Sequence, residues 1–128
     1  MFYTILQKQE KEEQESAKEL FLKNLEVLTQ AMSKTGPYFM GANFGYVDVM
    51  LVPYTLRLGL LSHYQGLQVP TTGAFKRLQV WMEAAHSKSS VKSTMPDWTR
   101  LVAKYQRYAD NTAKTEVADA IRSGTTLP

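Results

Sequence analysis

The sequence contains no cysteine, which removes several kinds of chemistry at once. A chain without thiols forms no disulfide framework, offers no thiolate to a metal ion and has no cysteine nucleophile. Histidine is nearly as scarce, because only His63 and His86 occur and neither is followed by a second candidate ligand at i+3 or i+4. Helical metal sites usually need such a pair. The sequence therefore predicts no metal site.

Long apolar runs and a one-sided charge are absent too. No apolar stretch approaches the roughly 20 residues of a membrane span, and the first apolar run is too short for a secretion signal. The formal net charge is only +3 with scattered basic residues, which argues against nucleic-acid binding. Gly36, Gly41 and Gly45 precede no Lys-Ser or Lys-Thr pair, so they form no phosphate loop. We expect a soluble, cytoplasmic protein without a self-sufficient catalytic centre.

Helical periodicity is the main positive signal. The length of 128 residues suits a single domain spanning 1–128, and a hydrophobic content of 44% indicates a sizeable core. Apolar residues recur at i, i+3 and i+4 over 10–33, 46–63, 74–87 and 97–109. Shorter helical candidates lie at 2–8, 91–94 and 112–122, and no segment alternates like a strand. The predicted fold class is all-α, a bundle of about five or six helices.

The segment 46–63 is predicted to be the central helix of this bundle. Apolar residues occupy one of its faces and much of the opposite one, namely Val47, Met50, Leu51, Tyr54, Leu58 and Leu61 against Val49, Val52, Leu56 and Leu60. A helix that is apolar nearly all round is typically buried. Pro53 lies inside the segment and removes one backbone donor, so we expect a bend there.

The start of that helix carries a recognisable cap. If Gly45 is the N-cap, Asp48 falls at the third helical position, where its carboxylate reaches the backbone N–H of the cap residue and suits the helix dipole. Phe44 and Val49 then stand at the two positions of a hydrophobic staple. We expect this cap to be structural.

Four aromatic side chains are candidates for a binding pocket. Tyr3, Tyr54, Trp98 and Tyr105 together offer apolar rings with a few polar groups that could orient a ligand. The same residues are more often core or interface aromatics whose polar ends reach the surface. The spacing alone leaves both interpretations open.

The segment 36–41, Gly-Pro-Tyr-Phe-Met-Gly, together with Asp48 and the run 49–54, resembles the all-helical C-terminal domain of cytosolic glutathione transferases. Further along, 75–91, centred on 81–86, resembles the seventh helix of that family, and 97–105 resembles the C-terminal helix of its omega class. The family places Ser or Thr at the cap position, and Gly45 departs from that pattern at a cost of about a few tenths of a kcal/mol.

The resemblance implies that Trp98 and Tyr105 contribute to a hydrophobic-substrate site. It also implies that glutathione is bound by an N-terminal thioredoxin-like domain, which in the omega class carries the catalytic cysteine. This chain has neither a βαβ pattern nor a cysteine. On this reading the chain alone binds no glutathione, is inactive, and uses its exposed apolar surface to pair with a second copy or another protein.

Two other functions stay open at this stage. Domains of this type also serve as stand-alone helical modules for protein interaction or oligomerisation. A non-enzymatic carrier of hydrophobic small molecules would use the same aromatic residues without any reaction.

Overall fold

A computed structural model describes residues 1–128 and consists of helices. Eight α-helices and one short 3₁₀ helix follow in the order α1 (Phe2–Gln7), α2 (Lys11–Gln30), α3 (Tyr46–Leu56), α4 (Leu58–Gln65), the 3₁₀ helix (Gly73–Phe75), α5 (Lys76–Ser87), α6 (Ser89–Lys92), α7 (Trp98–Ala109) and α8 (Glu116–Ser123). The chain also contains an isolated antiparallel β-bridge between Tyr38 and Gly41. The predicted all-α fold class is confirmed. None of the helices combines the length and the apolar composition that crossing a membrane requires.

The central helix differs from the prediction, because it is two helices separated at Arg57. In a continuous helix the backbone N–H of Arg57 would donate to the carbonyl of Pro53, four residues earlier. The Arg57 side chain takes that carbonyl instead, with Nη1 2.6 Å from the Pro53 oxygen, while the backbone N–H donates to Tyr54 at 3.1 Å. The tighter i to i−3 bond ends α3, so the prediction of one helix over 46–63 is wrong.

The prediction that this helix is buried nearly all round is also wrong. Asp48, Val52 and Thr55 form the buried side of α3. Its other side is open: the exposed fractions are 78% for Tyr46, 53% for Val49, 49% for Met50 and 67% for Tyr54. An apolar composition shows that a face can be buried, but burial depends on what packs there.

Unit 1, one of two compact units, comprises Met1–Leu22, Leu60–Leu67 and Pro96–Pro128. Within it, α1 packs against α7 and α8. Its core consists of Ile5, Leu6, Leu60, Leu61, Leu67, Leu101 and Tyr105. Asp97 caps α7 by accepting from the N–H of Arg100, and Thr115 caps α8 by accepting from the N–H of Ala118. Such side-chain caps satisfy backbone donors that the first helical turn leaves open.

Unit 2 comprises Lys23–Gly59 and Gln68–Met95. Here α5 packs against α3, α6 and the 3₁₀ helix. The buried apolar residues of this unit are Leu25, Met32, Val52, Leu78, Trp81, Ala85 and Val91. Trp81 is the largest of these and is fully buried, so α5 provides the main apolar anchor of unit 2. The assignment of residues 1–128 to a single domain stays a prediction.

Candidate functional site

Tyr3 and Tyr105 meet in a group of four aromatic rings in unit 1, which we call the aromatic cluster (Phe2, Tyr3, Tyr105 and Tyr108). The rings of Tyr3 and Tyr105 are stacked with their centroids 6.2 Å apart, and Phe2 meets the Tyr105 ring edge-on at 5.9 Å. Tyr108 lies 5.1 Å from Tyr3. The spacings match those that aromatic pairs favour in protein cores. The structure thus brings together two of the four predicted aromatics.

The aromatic cluster serves the core first. Tyr105 is only 8% exposed and belongs to the apolar core of unit 1. Phe2, Tyr3 and Tyr108 are partly buried against that core. The Tyr108 hydroxyl lies 3.2 Å from the Thr115 hydroxyl, which ties the cluster to the cap of α8. A ligand would therefore meet the rims of Tyr3 and Tyr108 before it met Tyr105.

Trp98 lies apart from these rings. It begins α7, two helical turns before Tyr105, and 46% of its surface is exposed. Its indole ring stands edge-on to His63, with centroids 6.3 Å apart. Trp98 is accordingly the most accessible of the three predicted aromatics in unit 1.

Tyr54 belongs to unit 2 and to a different surface. Tyr46, Met50 and Tyr54 follow one another at intervals of four residues, so they line one side of α3, with Val49 beside them. We call these four residues the open face of α3. No charged side chain interrupts it, since Asp48, the one charged residue of α3, is buried on the other side. A contiguous exposed apolar surface of this kind is typical of an interaction site.

Asp48 is the best-defined polar centre of unit 2. Its Oδ2 accepts from the N–H of Gly45 at 2.7 Å, which is the bond expected of the cap. Its Oδ1 accepts from the N–H of Phe39 at 2.8 Å and from Nε1 of Trp81 at 2.6 Å. The carboxylate has no exposed surface, so all three donors are satisfied away from water.

These bonds also set the charge state of Asp48. Burial by itself raises the pKa of the carboxyl, but the hydrogen bonds from Trp81, Gly45 and Phe39 outweigh it and leave the pKa below the ordinary value of 3.8. The group is therefore ionised at neutral pH. It acts as a structural anion rather than as an acid or a base, because every donor around it is already engaged.

The predicted staple residues have other neighbours. The Phe44 ring stands edge-on to Tyr38 at 5.3 Å, and Nζ of Lys88 lies 4.9 Å from the centroid of the Phe44 ring. Val49, the other staple position, is part of the open face of α3. The staple contact between Phe44 and Val49 stays a prediction. A cation above an aromatic face is a favourable contact, so Lys88 helps to hold the approach to α3.

Arg77 holds the loop before α3 from the side of α5. Its Nε donates to the carbonyl of Ser33 at 2.8 Å, and its Nη2 donates to the carbonyl of Tyr38 at 2.7 Å. Three of the five guanidinium N–H donors reach loop carbonyls when the longer bond to Pro37 is included. The loop is thereby fixed by a residue 39 to 44 positions further along the chain.

His86 contacts the buried side of α3 through its ring. Nε2 lies 3.0 Å from the hydroxyl of Thr55, and the ring meets Trp81 edge-on at 6.4 Å. Burial lowers the pKa of His86 below its ordinary value of 6.5. A neutral imidazole is thus favoured in the folded chain. Among the described residues, no group of three or more His, Asp or Glu side chains is arranged to hold a metal ion.

Sequence reasoning missed two of these arrangements. Nothing near Asp48 in the chain indicates that Trp81 donates to it, because 33 positions separate the two. The role of Arg77 is equally hidden, since its partners are backbone carbonyls that carry no sequence signal. The apolar periodicity over 74–87 predicted a helix there, but not which polar group Trp81 meets.

The comparisons with known proteins agree on one family. A family model described as "Glutathione S-transferase, C-terminal domain" matches residues 2–94. This match includes α1 to α6 and ends before α7, so Trp98 and Tyr105 lie outside it. No solved structure matches the chain.

Plant proteins are among the relatives. The chain is similar to "Probable glutathione S-transferase" of Nicotiana tabacum, with 30% identity over 91 residues that cover 71% of this chain and 40% of the relative. It is also similar to "Glutathione S-transferase U28" of Arabidopsis thaliana, with 33% identity over 86 residues, or 67% of this chain and 37% of the relative. The matched part thus spans less than half the length of these relatives.

These relatives do not support the omega assignment, since they are of the tau type. The helical fold, the family match and the relatives all point to glutathione transferases, without specifying the omega class. Helix α3, with its cap residues Gly45 and Asp48, lies inside the matched range. The chain belongs to the family of glutathione S-transferase C-terminal domains.

Proposed function

We propose that this chain supplies the hydrophobic-substrate side of a glutathione transferase and works together with a separate glutathione-binding part. The observation that carries the proposal is the open face of α3, whose four apolar side chains are each about half exposed or more. Family membership gives the chemical setting. Glutathione itself would be bound outside this chain, and the isolated chain would be inactive.

The open face cannot turn inward. Three hydrogen bonds to Asp48 and the contact of Thr55 with His86 hold the opposite side of α3 against the rest of unit 2. Burying Tyr46, Met50 and Tyr54 therefore requires a surface from elsewhere. Covering apolar area contributes roughly 25 cal/mol per Å², which favours an apolar partner over water.

The partner we commit to is the glutathione-binding part of a transferase. Because the open face has no charge of its own, its partner surface must be mainly apolar. The relatives extend well beyond the matched part, which covers 40% or less of their length, so they contain further protein that such a face can pack against.

Three of the four predicted substrate-contact residues, Tyr3, Trp98 and Tyr105, stay in the proposed substrate site, whereas Tyr54 is assigned to another surface. Trp98, being the most exposed of the predicted aromatics in unit 1, is the first candidate for contact with a hydrophobic substrate, and Tyr3 offers the accessible edge of the aromatic cluster. Tyr105 would act from beneath by supporting the Tyr3 ring. Tyr54 belongs to the proposed partner surface.

Among the classes of glutathione transferases, the relatives favour the tau type. We expect a cytosolic location.

A chimaera tests this function directly. The part of the Arabidopsis relative U28 that precedes its matched region would be fused to this chain, and glutathione conjugation would be followed with chlorodinitrobenzene. We expect the isolated chain to show only the uncatalysed rate and the chimaera to be active. Turnover by the isolated chain at the chimaera's rate, or a folded chimaera that binds glutathione without turnover, would contradict the proposal.

Matched variants test the open face. The double variant Met50→Ser with Tyr54→Ser removes two exposed apolar side chains, and Val80→Ser removes one that is 46% exposed on α5. We expect the α3 variant to lower chimaera activity and to reduce binding of a hydrophobic dye by the isolated chain, while Val80→Ser does neither. If the isolated chain instead forms a dimer that the α3 variant dissociates, the open face pairs copies of this chain and the oligomerisation function is correct.

A further inference from the structure

We propose that Met50, on the open face of α3, is an oxidation site, and that hydroperoxides switch off docking of this face by converting the Met50 thioether to a sulfoxide. The inference rests on the proposed function, because it concerns the regulation of the same surface. The chain contains six methionines and no cysteine. With no thiol to react first, the thioethers are the sulfur groups of this chain that a peroxide can oxidise.

The methionines differ in how far solvent reaches them. Met32 is 4% exposed and belongs to the core of unit 2, whereas Met50 is 49% exposed. Met40, in the loop before α3, is 73% exposed. The other three are less exposed than Met50, namely Met1, Met82 and Met95. Because oxidation of a thioether follows its exposure, Met40 and Met50 should react first and Met32 should be protected.

The position of Met50 is what makes its oxidation matter. It follows Tyr46 by four residues and precedes Tyr54 by four, so it stands in the middle of the open face of α3. The helix cannot turn Met50 inward, because the bonds of Asp48 and Thr55 hold the opposite side of α3. An oxygen atom added to Met50 therefore stays on the docking surface.

The reaction is a two-electron oxygen transfer. A lone pair of the Met50 sulfur attacks the terminal oxygen of a hydroperoxide, the S–O bond forms as the O–O bond breaks, and the proton on the transferred oxygen passes to the leaving oxygen. Sulfur is oxidised to the sulfoxide, and the peroxide is reduced to water or an alcohol. Methionine sulfoxide reductases restore the thioether at the expense of a thiol reductant, so the change is reversible.

A sulfoxide at Met50 opposes docking without opposing folding. Covered by an apolar partner, the sulfoxide oxygen loses its hydrogen bonds to water and gains none in return. In the free chain the same oxygen stays in water, because Met50 is half exposed and does not belong to the buried side of α3. A docked partner would also shield the thioether from peroxide. The switch therefore acts on the free chain before it docks.

The first test is a methionine footprint. The isolated chain and the chimaera are treated with hydrogen peroxide, and fragmentation mass spectrometry measures the sulfoxide at Met40 and at Met50 separately. We expect both residues to be oxidised in the isolated chain, and Met50 but not Met40 to be protected in the chimaera. Equal oxidation of Met50 in the two proteins would contradict the proposed function, because the open face would then be uncovered. A Met50 that resists peroxide in the isolated chain would overturn only the oxidation site.

The second test separates Met50 from the other thioethers in the isolated chain. Met50→Leu keeps an apolar side chain of similar volume but removes the oxidisable sulfur, and Met40→Leu makes the same change in the loop. After peroxide treatment, we expect binding of the hydrophobic dye to fall in wild type and in Met40→Leu, in proportion to the Met50 sulfoxide, and sulfoxide reductase to restore it. Dye binding by Met50→Leu should be insensitive to peroxide. An equal loss in Met50→Leu would overturn the switch.

The third test needs no peroxide. Met50→Gln places a polar oxygen where the sulfoxide would stand, and Met40→Gln is the matched change at a position that is more exposed but lies outside the open face. We expect Met50→Gln to lower glutathione conjugation by the chimaera up to about tenfold, because the docked state then covers an unpaired polar group. Met40→Gln should leave the activity unchanged. Full activity of Met50→Gln would overturn the switch, even where the footprint shows that the open face is covered.

Discussion

The indole of Trp81 donates to the carboxylate of Asp48 at 2.6 Å, and neither side chain has exposed surface. The same carboxylate caps α3 through Gly45 and holds the loop through Phe39. One buried anion thus joins the start of α3, the loop before it and the middle of α5. This makes Asp48 a tertiary anchor as well as a helix cap.

Replacing Asp48 should be unusually costly. Asp48→Ala leaves three buried N–H donors without an acceptor, and we expect the free energy of unfolding to fall by about 3 kcal/mol or more. Urea unfolding followed by circular dichroism measures this change. The matched control is Asp97→Ala, which removes an exposed cap that accepts from Arg100 alone and should cost about 1 kcal/mol. Equal losses in the two variants would show that the tertiary bonds of Asp48 contribute nothing.

The bond between Asp48 and Trp81 can be isolated by a double-mutant cycle. Trp81→Phe keeps an aromatic ring but removes the donor, and Asp48→Asn keeps the shape but removes the charge. We expect the two variants to be non-additive by about 1 to 2 kcal/mol, because they share one hydrogen bond. Trp98→Phe, on a half-exposed ring, should combine additively with Asp48→Asn. An additive Trp81 cycle would contradict the role given to this bond.

Mild acid should weaken the fold through His86. Its pKa is lowered in the folded chain by burial, so the unfolded chain binds a proton more readily once the pH falls below about 6.5. The free energy of unfolding should therefore decline as the pH falls from 6.5 toward the folded pKa. His86→Gln should remove this decline, whereas His63→Gln, at an exposed position, should retain it. The test is the free energy of unfolding measured between pH 7 and pH 5, and a wild-type value that does not change over this range would refute the prediction.

A second loss of stability should appear in stronger acid. Hydrogen bonds keep the pKa of Asp48 below 3.8 in the folded chain, so its contribution is fully present above that pH and is lost as the pH falls through the folded pKa. Asp48→Asn should be less stable at neutral pH but lose less on acidification below about pH 4. Parallel pH profiles for Asp48→Asn and wild type would be incompatible with this assignment.

Gly36 should not tolerate a side chain. Its φ is +77°, and an added Cβ would lie 2.3 Å from the carbonyl carbon of Gly41, so the backbone would have to move. Gly66 has a similar φ of +65° with nothing within 4 Å of an added Cβ. Gly66→Ala should therefore cost only the backbone strain, about 1 to 2 kcal/mol. Gly36→Ala should cost clearly more in a thermal unfolding experiment, and equal costs would show that the loop adapts.

Local signals in the sequence were sufficient for much of the fold. The periodicity of the apolar residues predicted the long α2, α5 and α7 within a few residues, because each of these helices has one apolar side. The bond between Gly45 and Asp48 was predictable because it spans three positions. The division at Arg57 was not, since it depends on a side chain competing for the Pro53 carbonyl.

The candidate sites were less predictable for a physical reason. The sequence identified Tyr3, Trp98 and Tyr105 as aromatic candidates, but only the tertiary structure separates a stacked pair from an exposed indole. The two hydrogen bonds that the buried Gln7 donates to Asn111 and Ala118 gave no sequence signal, because these partners are 104 and 111 positions away. Composition likewise could not show that Tyr54 and Met50 stay exposed.

The distance along the chain between Asp48 and Trp81 matters during synthesis. Asp48 leaves the ribosome 33 residues before its indole partner, and the Arg77 clamp on the loop also comes late. Until α5 has emerged, α3 can keep only the local bonds at its start, while Val52 on its later buried side remains in water. The nascent chain therefore passes through an interval in which this segment is exposed to chaperones. The interval ends when Trp81 has emerged and donates its hydrogen bond to Asp48.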